Sequence, residues 1–334
     1  MVALAFGLQF VMRDALWLKA TLLLGLPAAI CYTFIQRPVR FALGIGALLL
    51  VGGLSRDVLH TTEIHKERSF FGVLTVLDKQ EEEDPTAFRE FIHGNTLHGI
   101  QNLAPEHHQD PLAYYFRTGP VGQLMGSLGE GPVKKRVAVL GLGAGALACY
   151  AKDGQAWTFF EIDPSVESIA RTYFSFLDDA KDRGACVQVV QGDARLSLAR
   201  VPDQSYDLIF ADAFSSDAVP IHLLTRQALD LYLSKLGEHG LLVFNVTNRY
   251  VDLEPVLGAL AARAGLVCIS CRDEENSLSK SEKIQGKTGS HWVIMARREE
   301  DLGSLRNNPA WKPPAVGKAE WTDDYSNLLG AFRW

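Results

Sequence analysis

The sequence predicts an α/β fold built on a parallel sheet with helices on both faces, and three observations carry that prediction. A short apolar run, Val137 to Leu140, feeds directly into Gly141, Gly143 and Gly145 at alternate positions. Sixteen residues beyond Gly145, a second apolar run, Trp157 to Phe160, ends in the acid Glu161. From Lys134 onward, apolar runs of strand length alternate with segments of helical pattern.

The bulk properties narrow the field. The chain has 334 residues, enough for a sizeable core, and is 47% apolar, which calls for a search for membrane segments. The net charge is −6 and the basic residues form no long block, so nucleic acid is excluded as a main partner. The five cysteines are scattered, and Cys268 and Cys271 have no second pair at zinc spacing, so they read as two cysteines near a strand.

Residues 1–58 differ from the rest. Leu16 to Ile35 carries one charge, Lys19, near its start, and Phe41 to Leu54 carries none. A spanning helix needs roughly 20 apolar residues, so two membrane helices are expected here, with buried soluble helices as the alternative. Arginines lie on both sides of the second stretch, so the charge flanks set no orientation. Residues 59–130 read as a small antiparallel unit and a linking helix. It comprises a polar linker over 59–66, strands over 69–77, 88–92 and 96–101, and a helix from Asp110 to Leu128.

Residues 131–300 read as the catalytic domain. Strands are expected at 137–140, 157–161, 187–191, 207–211, 240–246, 266–270 and 291–296. Helices are expected near 145–152, from Pro164 to about Leu177, near 222–236 and from Val256 to Ala264. The tail, 301–334, carries prolines and tryptophans and is expected to pack over the surface.

Ligands of open α/β sheets bind outside the carboxyl ends of the strands. There the glycines let a ligand approach the main chain, Glu161 could accept from both ribose hydroxyls, and Asp193 could accept from an adenine amino group. Asp212 closes the fourth strand near the crevice centre. An acid after a strand also commonly caps the next helix, which is the competing reading of Asp193. The turn runs Gly-x-Gly-x-Gly, not Gly-x-Gly-x-x-Gly, and suits an S-adenosyl nucleoside better than a dinucleotide. The loop from Asp212 to Pro220 sets two carboxylates, Asp212 and Asp217, around Ser215 and Ser216, an arrangement able to hold an ammonium and take its proton.

These pieces resemble the spermidine synthase (polyamine aminopropyltransferase) family, in its membrane-fused bacterial branch, over about residues 63–327. The resemblance rests on Glu67 to Val73, His93 to Gln101, Tyr114 to Pro120, the glycine turn, Glu161 to Asp163, Asp212 to Thr225 and Trp321 to Asn327. It implies a Rossmann-like methyltransferase-type domain carrying a small N-terminal β unit, commonly dimeric. It also implies roles: Glu161 on the ribose, Asp193 with Ala194 on the adenine, Asp212 as the base. Asp217, Tyr115, Gln101 and Ser215 would meet the amine. Typical members carry an aspartate where this chain has Ala144. The expected reaction moves an aminopropyl group from decarboxylated S-adenosylmethionine, a co-substrate and not a resident cofactor, to a small amine. The sulfonium is already an activated leaving group, so no metal is called for. Two alternatives stand beside it: methyl transfer from S-adenosylmethionine, and a non-catalytic membrane protein that senses nucleosides or polyamines. The expected location is the cell inner membrane, with the catalytic domain in the cytoplasm, where S-adenosyl donors are found.

Overall fold

A computed structural model of the chain describes residues 25–54, 61–81, 84–128, 134–213, 220–317 and 320–332. The chain divides into two compact units, Met1–Thr62 with Lys79–Asp84, and Glu63–Asp78 with Pro85–Trp334.

The described helices of the first unit are α1, Leu26–Tyr32, and α2, Pro38–Leu54. Proline stands in the first turn of α1 and opens α2, where its missing N–H costs nothing. The expected span from Leu16 to Ile35 is corrected where it is described: α1 is 7 residues long and gives way to a turn, and residues 16–24 lie outside the described residues. The second expected span forms α2, 17 residues long. Among the described residues no helix is long and apolar enough to cross a membrane.

Four antiparallel strands follow in the order β1-β2-β3-β4: β1 Thr61–Ser69, β2 Gly72–Glu81, β3 Asp84–His93 and β4 Thr96–Asn102. The stretch expected as a polar linker is therefore strand β1. Its sequence carries no apolar run because, as an edge strand, it alternates exposed and half-buried residues. The strand expected to begin at Ser69 begins at Gly72, whose φ of +147° turns the chain.

The large sheet has seven strands in the order β10-β11-β9-β8-β5-β6-β7. They are β5 Arg136–Leu140, β6 Ala156–Glu161, β7 Cys186–Gln191, β8 Tyr206–Ala211, β9 Leu236–Asn245, β10 Val267–Asp273 and β11 Ser290–Ala296. Strands β5 to β9 pair in parallel, and their central members are near-continuous apolar runs because helices cover both faces. The sheet is mixed, not wholly parallel: β11 runs antiparallel between β9 and β10. The link from β10 to β11 is long enough to return the chain in either direction, so sequence length did not decide it.

The remaining helices are α3 Pro120–Ser127, α4 Pro164–Tyr173, α5 Phe176–Asp182, α6 Ala194–Ala199, α7 Arg226–Lys235, α8 Glu254–Ala264 and α9 Lys280–Ile284. Four begin on side-chain caps: Asp163 on Ser165 N, Asp193 on Leu196 N, Thr225 on Ala228 N and Ser279 on Glu282 N. The helix expected from Asp110 to Leu128 shrinks to α3. Pro111 and an Ala113 φ of +53° keep the preceding residues irregular. After Gly145 the chain makes only a short 3₁₀ turn, Ala146–Tyr150, where an α-helix was expected. Cys268 and Cys271 are free thiols on β10, each pushed up to about 12 by burial, in keeping with a structural reading.

Candidate active site

Strand order places a switch point between β5 and β8. The chain moves from β5 outward to β7, then returns to the other side of β5 as β8. The loops leaving β5 and β8 diverge there and open a crevice. Its floor is the glycine turn. Gly141, Gly143 and Gly145 have φ of +101°, +55° and +79°. A Cβ on Gly141 would lie 2.4 Å from Asp212 O, and one on Gly143 would lie 2.6 Å from His98 O. Backbone conformation and close approach both demand glycine at these positions.

Two cavities meet over this turn, sharing His98, Gly141, Leu142, Gly143 and Asp212. The first extends past Glu161, Asp163, Asp193, Ala194 and His222. The second extends past Asn95, Tyr114, Tyr115, Asn245 and Arg249. Asp212 is the one carboxylate among the described residues that lines both.

Glu161 ends β6 and is 8% exposed. Its Oε2 accepts from Leu142 N at 3.0 Å and its Oε1 from Asp163 N at 2.9 Å. The glycine turn and the start of α4 thus fix the carboxylate, and each oxygen keeps a lone pair for another donor. Burial raises its pKa, against the pull of those backbone hydrogen bonds. Asp193 serves as the cap of α6, with Oδ1 2.8 Å from Leu196 N, and its Oδ2 lies 3.5 Å from His222 Nε2. Capping does not remove it from the first cavity, where Ala194 lies beside it.

Asp212 follows β8. Tyr115 donates its hydroxyl to Asp212 Oδ2, and Asn245 Nδ2 donates to Oδ1 at 2.8 Å. Burial pushes the Asp212 carboxyl up to about 7, although both donors favour its charged form. Burial and the Asp212 charge raise the pKa of Tyr115, so it stays a neutral donor. Tyr114 packs on Tyr115, ring centroids 4.4 Å apart. The irregular segment before α3 delivers both rings, something a continuous helix could not do for adjacent residues.

The structure brings together Gly141, Gly143, Glu161, Asp193, Ala194, Asp212 and Tyr115. Gly145 lies under the turn, where a Cβ would sit 3.0 Å from Leu177. Gln101 lies apart from them: it is 3% exposed, donates to His108 O and Ser175 Oγ, accepts from Ser175 N, and lines neither cavity. Its amide is consumed in holding β4 to the start of α5. Ser215 and Asp217 lie outside the described residues. Ala144 is fully buried against Gly99 and lines neither cavity. Asn245 was not anticipated, although it ends the apolar run Leu241 to Phe244 just as Asp212 ends its own.

Away from the crevice, Asp252, Glu254 and His291 lie close enough to share a metal ion. Arg272 donates to His291 Nδ1 at 2.9 Å, so the Nε2 carries the ring proton toward Glu254 at 2.9 Å. Both ring nitrogens are thus engaged in a hydrogen-bonded ion-pair network.

No family model matches the chain. A polyamine aminopropyltransferase of Vibrio vulnificus (strain CMCP6) is 29% identical over 201 residues, which span 58% of this chain and 63% of that protein. An eEF1A lysine and N-terminal methyltransferase of Xenopus laevis is 30% identical over 150 residues, 42% of this chain and 21% of that protein. The chain thus spans under two thirds of either relative. A solved structure of a probable spermidine synthase from Corynebacterium glutamicum ATCC 13032 superposes with a TM-score of 0.53 at 15% identity, covering 79% of this chain and 98% of that one. The shared feature is the α/β Rossmann-like, methyltransferase-type fold.

Proposed function

We propose that the chain transfers an aminopropyl group from decarboxylated S-adenosylmethionine to a small amine, as its similarity to a polyamine aminopropyltransferase suggests. The observation that carries this reading is Asp212, the carboxylate shared by the two cavities. The nucleoside occupies the first cavity, with its ribose on Glu161 and its adenine beside Asp193 and Ala194. The acceptor enters the second. The amine nitrogen attacks the carbon beside the sulfonium, the C–S bond breaks with its electron pair passing to sulfur, and methylthioadenosine leaves. The proton shed by the new C–N centre passes to Asp212. A group titrating at about 7 is matched to taking a proton near neutral pH.

A second reading, methyl transfer from S-adenosylmethionine, draws on the similarity to an eEF1A lysine and N-terminal methyltransferase. The purified chain, incubated with each donor and a panel of amines, decides between them. Methylthioadenosine is the expected product. S-adenosylhomocysteine would favour the second reading. Nucleoside binding without either product would favour a sensing role.

For the N-terminal helices we propose association with a membrane, with the catalytic unit on its cytoplasmic side. Support comes from the exposed side chains of Tyr32, Ile35, Val39, Leu43 and Leu49. The full chain should float with phospholipid vesicles in a density gradient, and a chain lacking residues 1–58 should not. Equal recovery of both in the soluble fraction would end this proposal.

A further inference from the structure

We propose that Asn245 is a positioning residue for the transfer reaction: it holds the Asp212 carboxylate in place as proton acceptor, its own amide locked by the main chain beyond β9. The inference rests on the reading of Asp212 as base and goes one residue further.

The lock is visible in three steps. Val246 N donates to His291 O at 2.9 Å, and His291 N donates to Thr247 Oγ1 at 2.9 Å, so the chain leaving β9 is pinned to β11. Thr247 N, fixed in this way, donates to Asn245 Oδ1 at 2.9 Å. An N–H can only donate, so the oxygen of the Asn245 amide must face Thr247 and its nitrogen must face Asp212. Asn245 is buried and its nitrogen lies 2.8 Å from Asp212 Oδ1. Tyr115 holds the other oxygen. The carboxylate is thus gripped at both oxygens by neutral donors, which stabilise its charged form without adding a charge that would repel an incoming ammonium.

The titratable and charged groups that line the two cavities with Asp212 come from several elements. Tyr114 and Tyr115 precede α3, His93 and His98 lie on β3 and β4, and Glu161, Asp163, Asp193, His222, Arg249 and Tyr250 line the adjoining walls. Burial drives His98 down to about 3, so it stays neutral. His93 and His222 need their own control, supplied by His222→Gln and by following Asp212 directly.

The test compares Asn245→Ala and the isosteric Asn245→Asp with the unaltered full chain. Removing a donor to the carboxylate raises the pKa of Asp212, so activity is lost at neutral pH and recovered in alkali. For Asn245→Ala, kcat/KM should fall about 5-fold at pH 7 and by less than about 1.5-fold at pH 9, with the midpoint of the pH profile up by about one unit. Asn245→Asp sets two carboxylates face to face and should move the midpoint further. The Asp212 carboxyl band, identified by infrared difference against Asp212→Asn, should move in the same order without any turnover. Asn245→Asp keeps the side chain's shape and serves where the alanine variant folds poorly. A uniform loss at every pH, or an unmoved Asp212 titration in Asn245→Asp, would overturn the proposal. A shifted titration in a chain that releases no methylthioadenosine from any donor would uphold the positioning and refute the transfer.

Discussion

Asp212→Asn should lower turnover by about a thousandfold or more, the upper part of the range for loss of a general base, while affinity for methylthioadenosine stays within about threefold. The separation follows from placement. Asp212 lies where the cavities meet, and the groups assigned to the nucleoside, Glu161 and Asp193, line the first cavity alone. The unaltered chain should gain activity as pH rises through about 7, because only the ionised carboxylate takes a proton. Stability should move the other way. The folded-state pKa of Asp212 is raised by burial, so its favourable contribution is complete below the unfolded value near 4 and is lost as pH rises through about 7. Asp212→Asn removes the buried charge and should therefore melt higher than the unaltered chain at pH 8, with the gap narrowing toward pH 4. Isothermal titration with methylthioadenosine, steady-state rates and melting curves at several pH values check all three. Retained turnover in Asp212→Asn would remove it from the role of base.

What could be read from sequence follows how local the physics is. The run Val137 to Leu140 and the glycines after it are consecutive, so strand, turn and ligand floor were legible together. Glu161, Asp193 and Asp212 announced themselves because parallel strands bring their carboxyl ends to one edge whatever their order. Residues whose task depends on contacts distant in sequence did not. Gln101 spends its amide on Ser175 and His108, and only the folded chain reveals that. Asn245 reaches Asp212 because β9 lies beside β8, and its orientation is set by Thr247 and thereby by β11. The direction of β11 was equally hidden, since an apolar run looks the same in either direction. Strand β1 was missed for the opposite reason: an edge strand with one exposed face needs no apolar run at all. The short α3 belongs here too, since the φ of Ala113 is imposed by packing, with Ala113 N bound to Gly286 O at 2.8 Å.

Glu161→Gln should do the reverse of Asp212→Asn: nucleoside affinity falls by about 100-fold, with a smaller effect on turnover at saturating donor. The reason lies in what the two carboxylate oxygens already accept. Leu142 N and Asp163 N are both donors, and each needs an oxygen. A glutamine offers one oxygen and one NH₂, so either orientation turns a donor onto a donor and leaves a buried N–H without a partner, at a cost of about 1–3 kcal/mol. The same substitution strips the charge from hydrogen bonds to the ribose hydroxyls, each worth about 1.5–3 kcal/mol when the acceptor is ionised. The weaker ribose hydrogen bonds lower affinity by roughly tenfold each, since 1.4 kcal/mol is a factor of ten, whereas the unpaired N–H is present with or without the nucleoside and lowers stability. The glycine turn shares the damage, because Leu142 sits between Gly141 and Gly143, and the melting temperature should fall as well. Protonating Glu161 imitates the substitution. The unaltered chain should therefore lose nucleoside affinity as pH drops through the raised pKa of Glu161, whereas Glu161→Gln should show a flat profile over the same range. Calorimetric titration with methylthioadenosine from pH 4 to pH 8 reads both curves. Affinity within threefold of the unaltered chain, with unchanged melting, would mean that the ribose is held elsewhere and that Glu161 only fastens the turn.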